Sequence, residues 1–316
     1  ERTMDVLAAE LGMDPAELRR RNFVPPEAFP YETPSGQRYD SGDYGRALDE
    51  ALRLAGYEEL RREQAARRAR GDRLQLGIGI SSYVEITGFV EREFADLSVS
   101  EAGTATVRVG TSSHGQGHET AFAQIVAAVL GIPIERVRVV HSDTAAVPRG
   151  EGTFGSRSLQ IGGTNVLRAA ELVLEKARGL AAHVLEVAPE DVVPAEDGLA
   201  VAGAPDRAVS WEELARIAND PARLPEGVEP GLAARGDFAQ AQETFPFGSH
   251  VAVVEVDVET GEVRLLRHVA VDDCGRILNP VLVDGQVHGG AAQGVAQAVF
   301  EGVEHDELGN PLTANL

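Results

Sequence analysis

A single cysteine, Cys274, in 316 residues removes two kinds of architecture at once. One thiol builds neither a disulfide framework nor a four-cysteine metal site, and it fits a reducing compartment. Cations are scarce as well. Lys and Arg number 29 against 50 Asp and Glu, a formal charge of −21. Binding a phosphate backbone needs a basic face, so this balance argues against nucleic acid as the main partner. It leaves room for a buried anionic cofactor, because backbone N–H groups hold phosphate inside acidic proteins. No stretch approaches the ~18 apolar residues of a membrane span. No basic segment with an apolar run opens the chain as a secretory signal does. A cytoplasmic location is therefore expected.

Several catalytic signatures are also missing. There is no Gly-Lys-Ser/Thr phosphate loop, which a nucleotide-binding hydrolase would require. No serine sits in a Gly-x-Ser-x-Gly elbow. Gly77-x-Gly79 lacks the third glycine of a dinucleotide fingerprint, with Ser82 in its place, and it lies within an expected strand. His114 and His118 are four apart beside Glu119, but Gly115 and Gly117 keep them off one helix face, which disfavours zinc. Cys274 with His118 as base would form a nucleophilic pair; a small buried residue beside a turn is the plainer reading. Asp143, after a strand, reads as a solvated or capping residue.

What is present describes a globular chain, 43% hydrophobic and 25% charged, long enough for one large domain or two ordinary ones. Met4, Leu7, Leu11 and Leu18 recur at helical spacing over 1–22, with Asp14-Pro15 as a fresh start signal. Residues 23–42 read as loop, 43–70 as helix with a solvated arginine-rich second half, and Leu74–Ile86 as strand. Residues 94–100 and 104–109 form a hairpin around Glu101-Ala102-Gly103, and 137–141 reads as a strand. An Ala-, Pro- and acid-rich stretch, 189–243, carries one short helix at Trp211–Ile217. Val251–Val258 and Val263–Val271 pair across Glu259-Thr260-Gly261. Helices and antiparallel strands mix without strict βαβ alternation, so the expected class is α+β. Helix begins uncapped at residue 1 and Ala314-Asn315-Leu316 carries no stop signal, which suggests a stretch of a longer chain.

Three donor-rich turns each open a helix. Gly110–Thr120 leads into the run Phe122 to Leu130. Its glycines let backbone approach a ligand, and first-turn N–H groups face an anion. Gln116 offers both an amide donor and an acceptor. Arg149–Ser158 leads through Gly162-Gly163 into a helix from Thr164 to Glu186, with hydroxyl and guanidinium donors suited to a pyrophosphate. Val271–Pro280 ends in Asn279 as N-cap and Pro280 at N1. The following helix carries Gly289, Gly290 and Gly294, and its Ala-rich face suggests tight packing against another helix. One such turn is usually only a turn; three point to an extended anionic ligand, which composition does not name.

The order of these segments resembles the molybdopterin-binding half of the xanthine dehydrogenase/aldehyde oxidase family. It runs Gly115-Gln116-Gly117-His118-Glu119-Thr120, then Gly152-Thr153-Phe154-Gly155-Ser156-Arg157-Ser158, then Val271-Asp272-Asp273-Cys274-Gly275 through Asn279-Pro280, then Gln286-Val287-His288-Gly289-Gly290. Glu1–Asp5 and Leu18–Phe23 share the likeness. The His-Glu-Thr after Gly117 and the Asp-Asp-Cys-Gly set are most similar to carbon monoxide dehydrogenase-type large subunits.

The resemblance implies the molybdopterin-binding fold of the molybdenum hydroxylases. A helical stretch, 1–72, would belong to a first cofactor domain; 73–316 would form a second, truncated at its C-terminus. It implies molybdenum held by molybdopterin as the cytosine dinucleotide. Gln116 would sit near the molybdenum. Gly115, Gly117, His118 and Thr120 would contact the pterin or its phosphates, while Gly155, Ser156, Arg157 and Ser158 would hold the pyrophosphate or nucleotide. Asp273, Cys274 and Asn279 would contact the dinucleotide portion. Iron–sulfur and FAD subunits would be partners in a dimer of heterotrimers acting on a small molecule. The family's substrate-facing loop, which holds the copper-binding cysteine in the carbon monoxide enzymes, lies upstream of the stretch matching residue 1. Its general-base glutamate lies downstream of the stretch matching residue 316. Cys274 is thus not the copper ligand, no direct metal ligand is expected here, and the chain alone should be inactive. The rival is a truncated scaffold without cofactor.

Overall fold

The computed structural model describes residues 1–88 and 92–313. Apolar spacing, caps and glycine stops set its elements. The chain opens with α1 (Arg2–Glu10), which has no side-chain cap, and α2 (Pro15–Arg21), where Asp14 Oδ1 accepts from Ala16 N at 2.8 Å. The stretch expected to be loop contains a short hairpin, β1 (Tyr31–Glu32) and β2 (Arg38–Tyr39). The expected helix over 43–70 is two helices, α3 (Tyr44–Ala55) and α4 (Tyr57–Arg70). Gly56 separates them at φ +70°, the left-handed geometry that ends a helix most readily at glycine. Strand β3 spans Leu74–Val84.

Strands β4 (Ala95–Val99) and β5 (Ala105–Val109) form the expected hairpin. Their alternation is strict: Ala95, Leu97, Val99, Ala105, Val107 and Val109 are all buried, and Arg108 pairs with Asp96 at 2.9 Å across the strands. Next come α5 (His118–Leu130) and β6 (Val137–Val140), which lies parallel to β5 with α5 as the crossover. Helix α6 (Thr164–Leu185) buries Val166, Ala169, Val173, Ala177 and Leu180 along one stripe. Residues 189–243 hold more structure than composition revealed: β7 (Val192–Ala195), β8 (Gly198–Val201) and β9 (Ala204–Ser210) form an antiparallel sheet. Helix α7 (Trp211–Asn219) and β10 (Leu232–Arg235) follow. The long strands β11 (Phe247–Asp257) and β12 (Val263–Asp273) pair as expected, and α8 (Pro280–Val299) closes the described chain.

The chain divides into two compact units, 1–85 with 244–316 and 86–243. The boundary expected at 72/73 does not follow this division, since β3, β11, β12 and α8 group with the N-terminal helices. In the first unit a sheet of order β12-β11-β3 packs one face on α3 and α4, with Ala51, Ala55, Leu76, Val251 and Val253 buried between them. In the second, a sheet of order β10-β4-β5-β6 packs on α5, α6 and α7 around one core. There Trp211 is fully buried and its Nε1 donates to Leu130 O at 3.2 Å. Helix α8 departs from expectation. Among the described residues it buries no side chain, and no atom lies within 4 Å of where a Cβ would stand at Gly285, Gly289, Gly290 or Gly294. Its small-residue face meets no partner helix among the described residues.

Candidate functional site

The first turn leaves the carboxyl end of β5 and enters α5, whose N-cap Gly117 (φ +76°) makes no side-chain cap. The first-turn N–H groups thus look for acceptors beyond a cap. The helix starts at His118, four residues earlier than apolar spacing suggested, because His118, Glu119 and Thr120 are polar. Gly115, at φ +101°, has open space around it. Gln116 Oε1 accepts from the backbone N–H of His114. His118 is 7% exposed, stacks on Phe122 with ring centroids 5.6 Å apart, and its Nδ1 has no partner. Burial pushes the imidazole below its ordinary pKa, so the neutral ring is favoured. Thr111 is fully buried with its Oγ1 also unpartnered. Thr120 is exposed. Orphaned buried polar atoms are uncommon enough to call for an explanation, and two of them flank one turn here.

The second turn holds Gly152, Gly155 and Ser156 at positive φ. Ser158 to Gly163 then form a π-helical turn that runs into α6. Such turns concentrate at functional positions. These two turns are stitched together. Ser112 N donates to Thr153 Oγ1 at 2.8 Å, and Thr153 Oγ1 donates back to Ser112 O at 2.6 Å. The backbones of Gly110 and Gly150 cross so closely that a Cβ on Gly150 would stand 2.3 Å from Gly110 O.

Beneath the crossing lies an ion pair that composition did not reveal. Arg157 Nη1 meets Glu93 Oε2 at 2.5 Å, with side chains 1% and 0% exposed. Glu93 also accepts from Phe94 N at 2.8 Å and from Glu151 N at 3.3 Å. The Arg157 Nη atoms donate to Gly152 O at 2.9 Å and Arg92 O at 2.6 Å. Two stretches of chain, 92–94 and 151–157, thus meet at one carboxylate and one guanidinium. Both Arg157 Nη atoms are spent on protein partners while its buried Nε has none among the described residues; Ser158 is buried, and the Ser156 backbone stands in the left-handed region at φ +50°.

The third turn lies in the first unit. Asp273 Oδ1 accepts from Gly275 N at 2.9 Å, a tight turn over Cys274 with Gly275 at φ +75°. Asn279 caps α8 as expected, its Oδ1 accepting from Leu282 N at 3.1 Å. Cys274 is exposed, so the reading of a small buried residue is corrected: the turn lifts its thiol off the end of β12. Among the described residues no group of three or more His, Cys, Asp or Glu could hold a metal. Asp143 Oδ1 accepts from Ala145 N at 2.9 Å, the capping role expected of it.

The structure brings the first two turns together within the second unit, and the third is a well-formed turn of the first unit. The molybdopterin cofactor-binding domain family matches residues 50–316. The chain belongs to that family. The chain is 39% identical over its whole length to the carbon monoxide dehydrogenase large chain of Afipia carboxidovorans, of which it covers 40%. It is 37% identical to the nicotine 6-hydroxylase large subunit of Paenarthrobacter nicotinovorans, again covering 40% of that protein. The crystal structure of the Cu,Mo-CO dehydrogenase superposes with a TM-score of 0.90 at 39% identity, over 100% of this chain and 41% of that one. The chain thus spans about two fifths of the length of these relatives. The α+β class and the resemblance to molybdenum hydroxylase large subunits both hold. No described helix is long and apolar enough to cross a membrane.

A second pair missed by sequence reading sits at the start of α5. Glu119 Oε1 and His141 Nε2 lie 2.8 Å apart, and His141 Nδ1 lies 2.8 Å from Ser142 Oγ. The bond from His141, then the residue's own N–H, and Ser113 pull the Glu119 carboxyl down to about 2. A depressed carboxyl stabilises the fold above its unfolded value and loses that contribution as pH falls through the folded one. The window here runs from 4.5 down to about 2. In His141→Gln the Glu119 midpoint should rise by roughly one pH unit, read by carbon NMR of the carboxyl. It should stop short of 4.5 because Ser113 and the backbone still donate. An unmoved midpoint would show that His141 does not hold this carboxylate.

Proposed function

We propose that this chain is the part of a molybdenum hydroxylase large subunit that holds the molybdenum–molybdopterin cofactor, as its cytosine dinucleotide. The observation that carries this is the welded pair of turns in the second unit. It offers a helix start without a side-chain cap, an open glycine at 115, and two buried polar atoms, Thr111 Oγ1 and His118 Nδ1, with no protein partner. That donor and acceptor set fits a pterin edge with phosphates. The dipole of α5 and its first-turn N–H groups would take the phosphate charge. Gln116 commits its Oε1 to His114 N, which leaves its amide N–H donors to face a molybdenum ligand. Gly117 admits the backbone approach, and His118, neutral, would place one ring nitrogen against the pterin. Thr120 supplies a hydroxyl from the same first turn. Gly155 and Ser156 would present backbone and hydroxyl to the pyrophosphate beside Ser158. Arg157 serves as the brace under these turns more than as a contact. Asp273, Cys274 and Asn279 carry the role of dinucleotide contacts that the likeness to the family assigns them.

When bound, the cofactor supplies hydroxylation with water as the oxygen source, or oxidation of carbon monoxide, with electrons leaving through iron–sulfur and FAD subunits. A cytoplasmic dimer of heterotrimers is the assembly proposed for the whole enzyme. Carbon monoxide, an aldehyde or an N-heterocycle is the substrate range proposed, the first from the carbon monoxide dehydrogenase likeness, the last from the nicotine 6-hydroxylase likeness, and the aldehyde from the aldehyde oxidase family resemblance. Residues 1–72 would be the helical tail of a first cofactor domain.

The test is metal and pterin analysis of the chain produced in a host that makes the dinucleotide cofactor. About one molybdenum and one pterin per chain are expected. A metal-free, pterin-free chain that is fully folded would instead mark a scaffold without cofactor. The loaded chain should turn over substrate at least ~10²–10⁴-fold more slowly than an intact relative, because a positioned base contributes that much and the family's base lies outside this stretch. Turnover within tenfold of the intact enzyme, measured with a dye acceptor, would refute that dependence.

A further inference from the structure

The face of the β12-β11-β3 sheet turned away from α3 and α4 carries a bonded chain of four polar side chains from three strands. Tyr83 on β3 donates its hydroxyl to Asp272 Oδ1 on β12 at 2.7 Å. His250 Nε2 on β11 lies 2.9 Å from the same oxygen. His268 Nε2 on β12 lies 3.3 Å from His250 Nδ1. A carboxylate only accepts, so His250 donates from Nε2 to Asp272, while its Nδ1 and His268 Nε2 share one proton between them. The register makes this possible at one position. Gly248 stands directly between Tyr83 and Asp272 in the ladder. A Cβ there would be 2.4 Å from Asp272 Oδ1 and 2.7 Å from Tyr83 Cε1. The middle strand gives up a side chain so that the two outer strands can bond across it.

Asp272 is followed by Asp273, the last residue of β12, and then by the Cys274 turn. We propose that Asp272, clamped over Gly248 by Tyr83 and His250, is a positioning residue that fixes the Asp273–Gly275 turn and tunes the reactivity of the Cys274 thiol. This deepens the cofactor-binding reading, on which it rests for the turn's role toward the dinucleotide. Electrostatics agree with the geometry. Burial alone would raise the Asp272 carboxyl, but the bonds from His250 and Tyr83 outweigh it and hold it below the ordinary carboxylate range. Burial and then the Asp272 bond raise the Tyr83 phenol, and Asp272 stands only two positions before Cys274, on the strand that leads into the turn.

The clamp makes opposite demands on two conservative variants. Tyr83→Phe removes a donor and leaves the Asp272 charge less compensated, which disfavours a thiolate nearby. Asp272→Asn removes the charge and favours it. Cys274 is the only cysteine, so iodoacetamide alkylation of the 316-residue chain followed by mass spectrometry reads this directly. At neutral pH the rate should fall about two- to fivefold in Tyr83→Phe and rise by a similar factor in Asp272→Asn, the size of one unit charge acting near a protein surface. A turn that merely loosens would shift both variants the same way, and that result, or no shift in either, would overturn the proposal. Should Asp272→Asn fail to fold, Tyr83→Phe decides alone, since it deletes one oxygen at a partly exposed position. Protection of Cys274 by cytidine diphosphate, measured separately, tests the dinucleotide reading. Protection with unmoved rates sinks the clamp and keeps the reading; moved rates without protection do the reverse.

Discussion

Arg157→Ala is expected to cost about 3–5 kcal/mol of stability in the second unit, the range seen when one partner of a buried ion pair is removed. Glu93 would be left as a carboxylate with its side chain 0% exposed and, among the described residues, only backbone donors, Phe94 N and Glu151 N, to solvate it. Two carbonyls, Gly152 O and Arg92 O, would lose their donors as well. The pair itself need not be worth this much, because desolvating two charges offsets most of their attraction. The double variant Glu93→Gln with Arg157→Met should therefore recover a large part of the loss. Denaturant unfolding followed by fluorescence reads the effect cleanly. The single tryptophan of the chain, Trp211, is fully buried in the core of the same unit. A loss below about 1 kcal/mol in the single variant would mean that water or rearrangement compensates Glu93. The double variant carries a functional question too. If stability returns but the cofactor does not, the pair's role is to hold the Gly110 and Gly150 turns in register.

The elements that were legible in the sequence share one property: their signal is local and periodic. The β4–β5 hairpin alternates without exception, α6 keeps its apolar stripe, and Asn279-Pro280 announces α8 with a cap that the structure reproduces. The three turns stood out for the same reason, as glycines and donors crowded before an apolar run. What could not be seen depends on distance along the chain or on small amplitude. Glu93 meets Arg157 across 64 positions, and nothing beside Glu93 hints at the pairing. The sheet β7-β8-β9 is built from strands of four to seven residues rich in alanine and containing Pro194, so its alternation is faint. Gly56 looked like one glycine inside a long helix because both flanks favour helix, and only its left-handed φ reveals the break. The Tyr83–Asp272–His250–His268 chain needs strand register, which a sequence does not state. Helix α8 shows the converse: a small-residue face that reads as an interface although the described chain offers it no partner.

The same chemical change, one methyl group on a glycine, should have opposite effects at two positions of the second unit. At Gly150 the new Cβ would lie 2.3 Å from Gly110 O and 2.7 Å from Gly110 Cα. Both are backbone atoms, so no side-chain rotation relieves the overlap and the two turns must separate. Overpacking of this kind costs about 1–3 kcal/mol, and the strain falls on the Ser112–Thr153 bonds that stitch the turns. Gly150→Ala should therefore unfold at lower denaturant and also lose most of its molybdenum and pterin. Gly179 lies within α6 on an exposed side, with nothing within 4 Å of its Cβ position. There alanine removes backbone freedom from the unfolded chain and should stabilise by about 0.5–1 kcal/mol, with cofactor content unchanged. The pair separates crowding at the crossing from any general intolerance of the domain. If Gly150→Ala keeps full cofactor at reduced stability, the crossing serves only the fold, and the welded turns lose their place as the cofactor's seat.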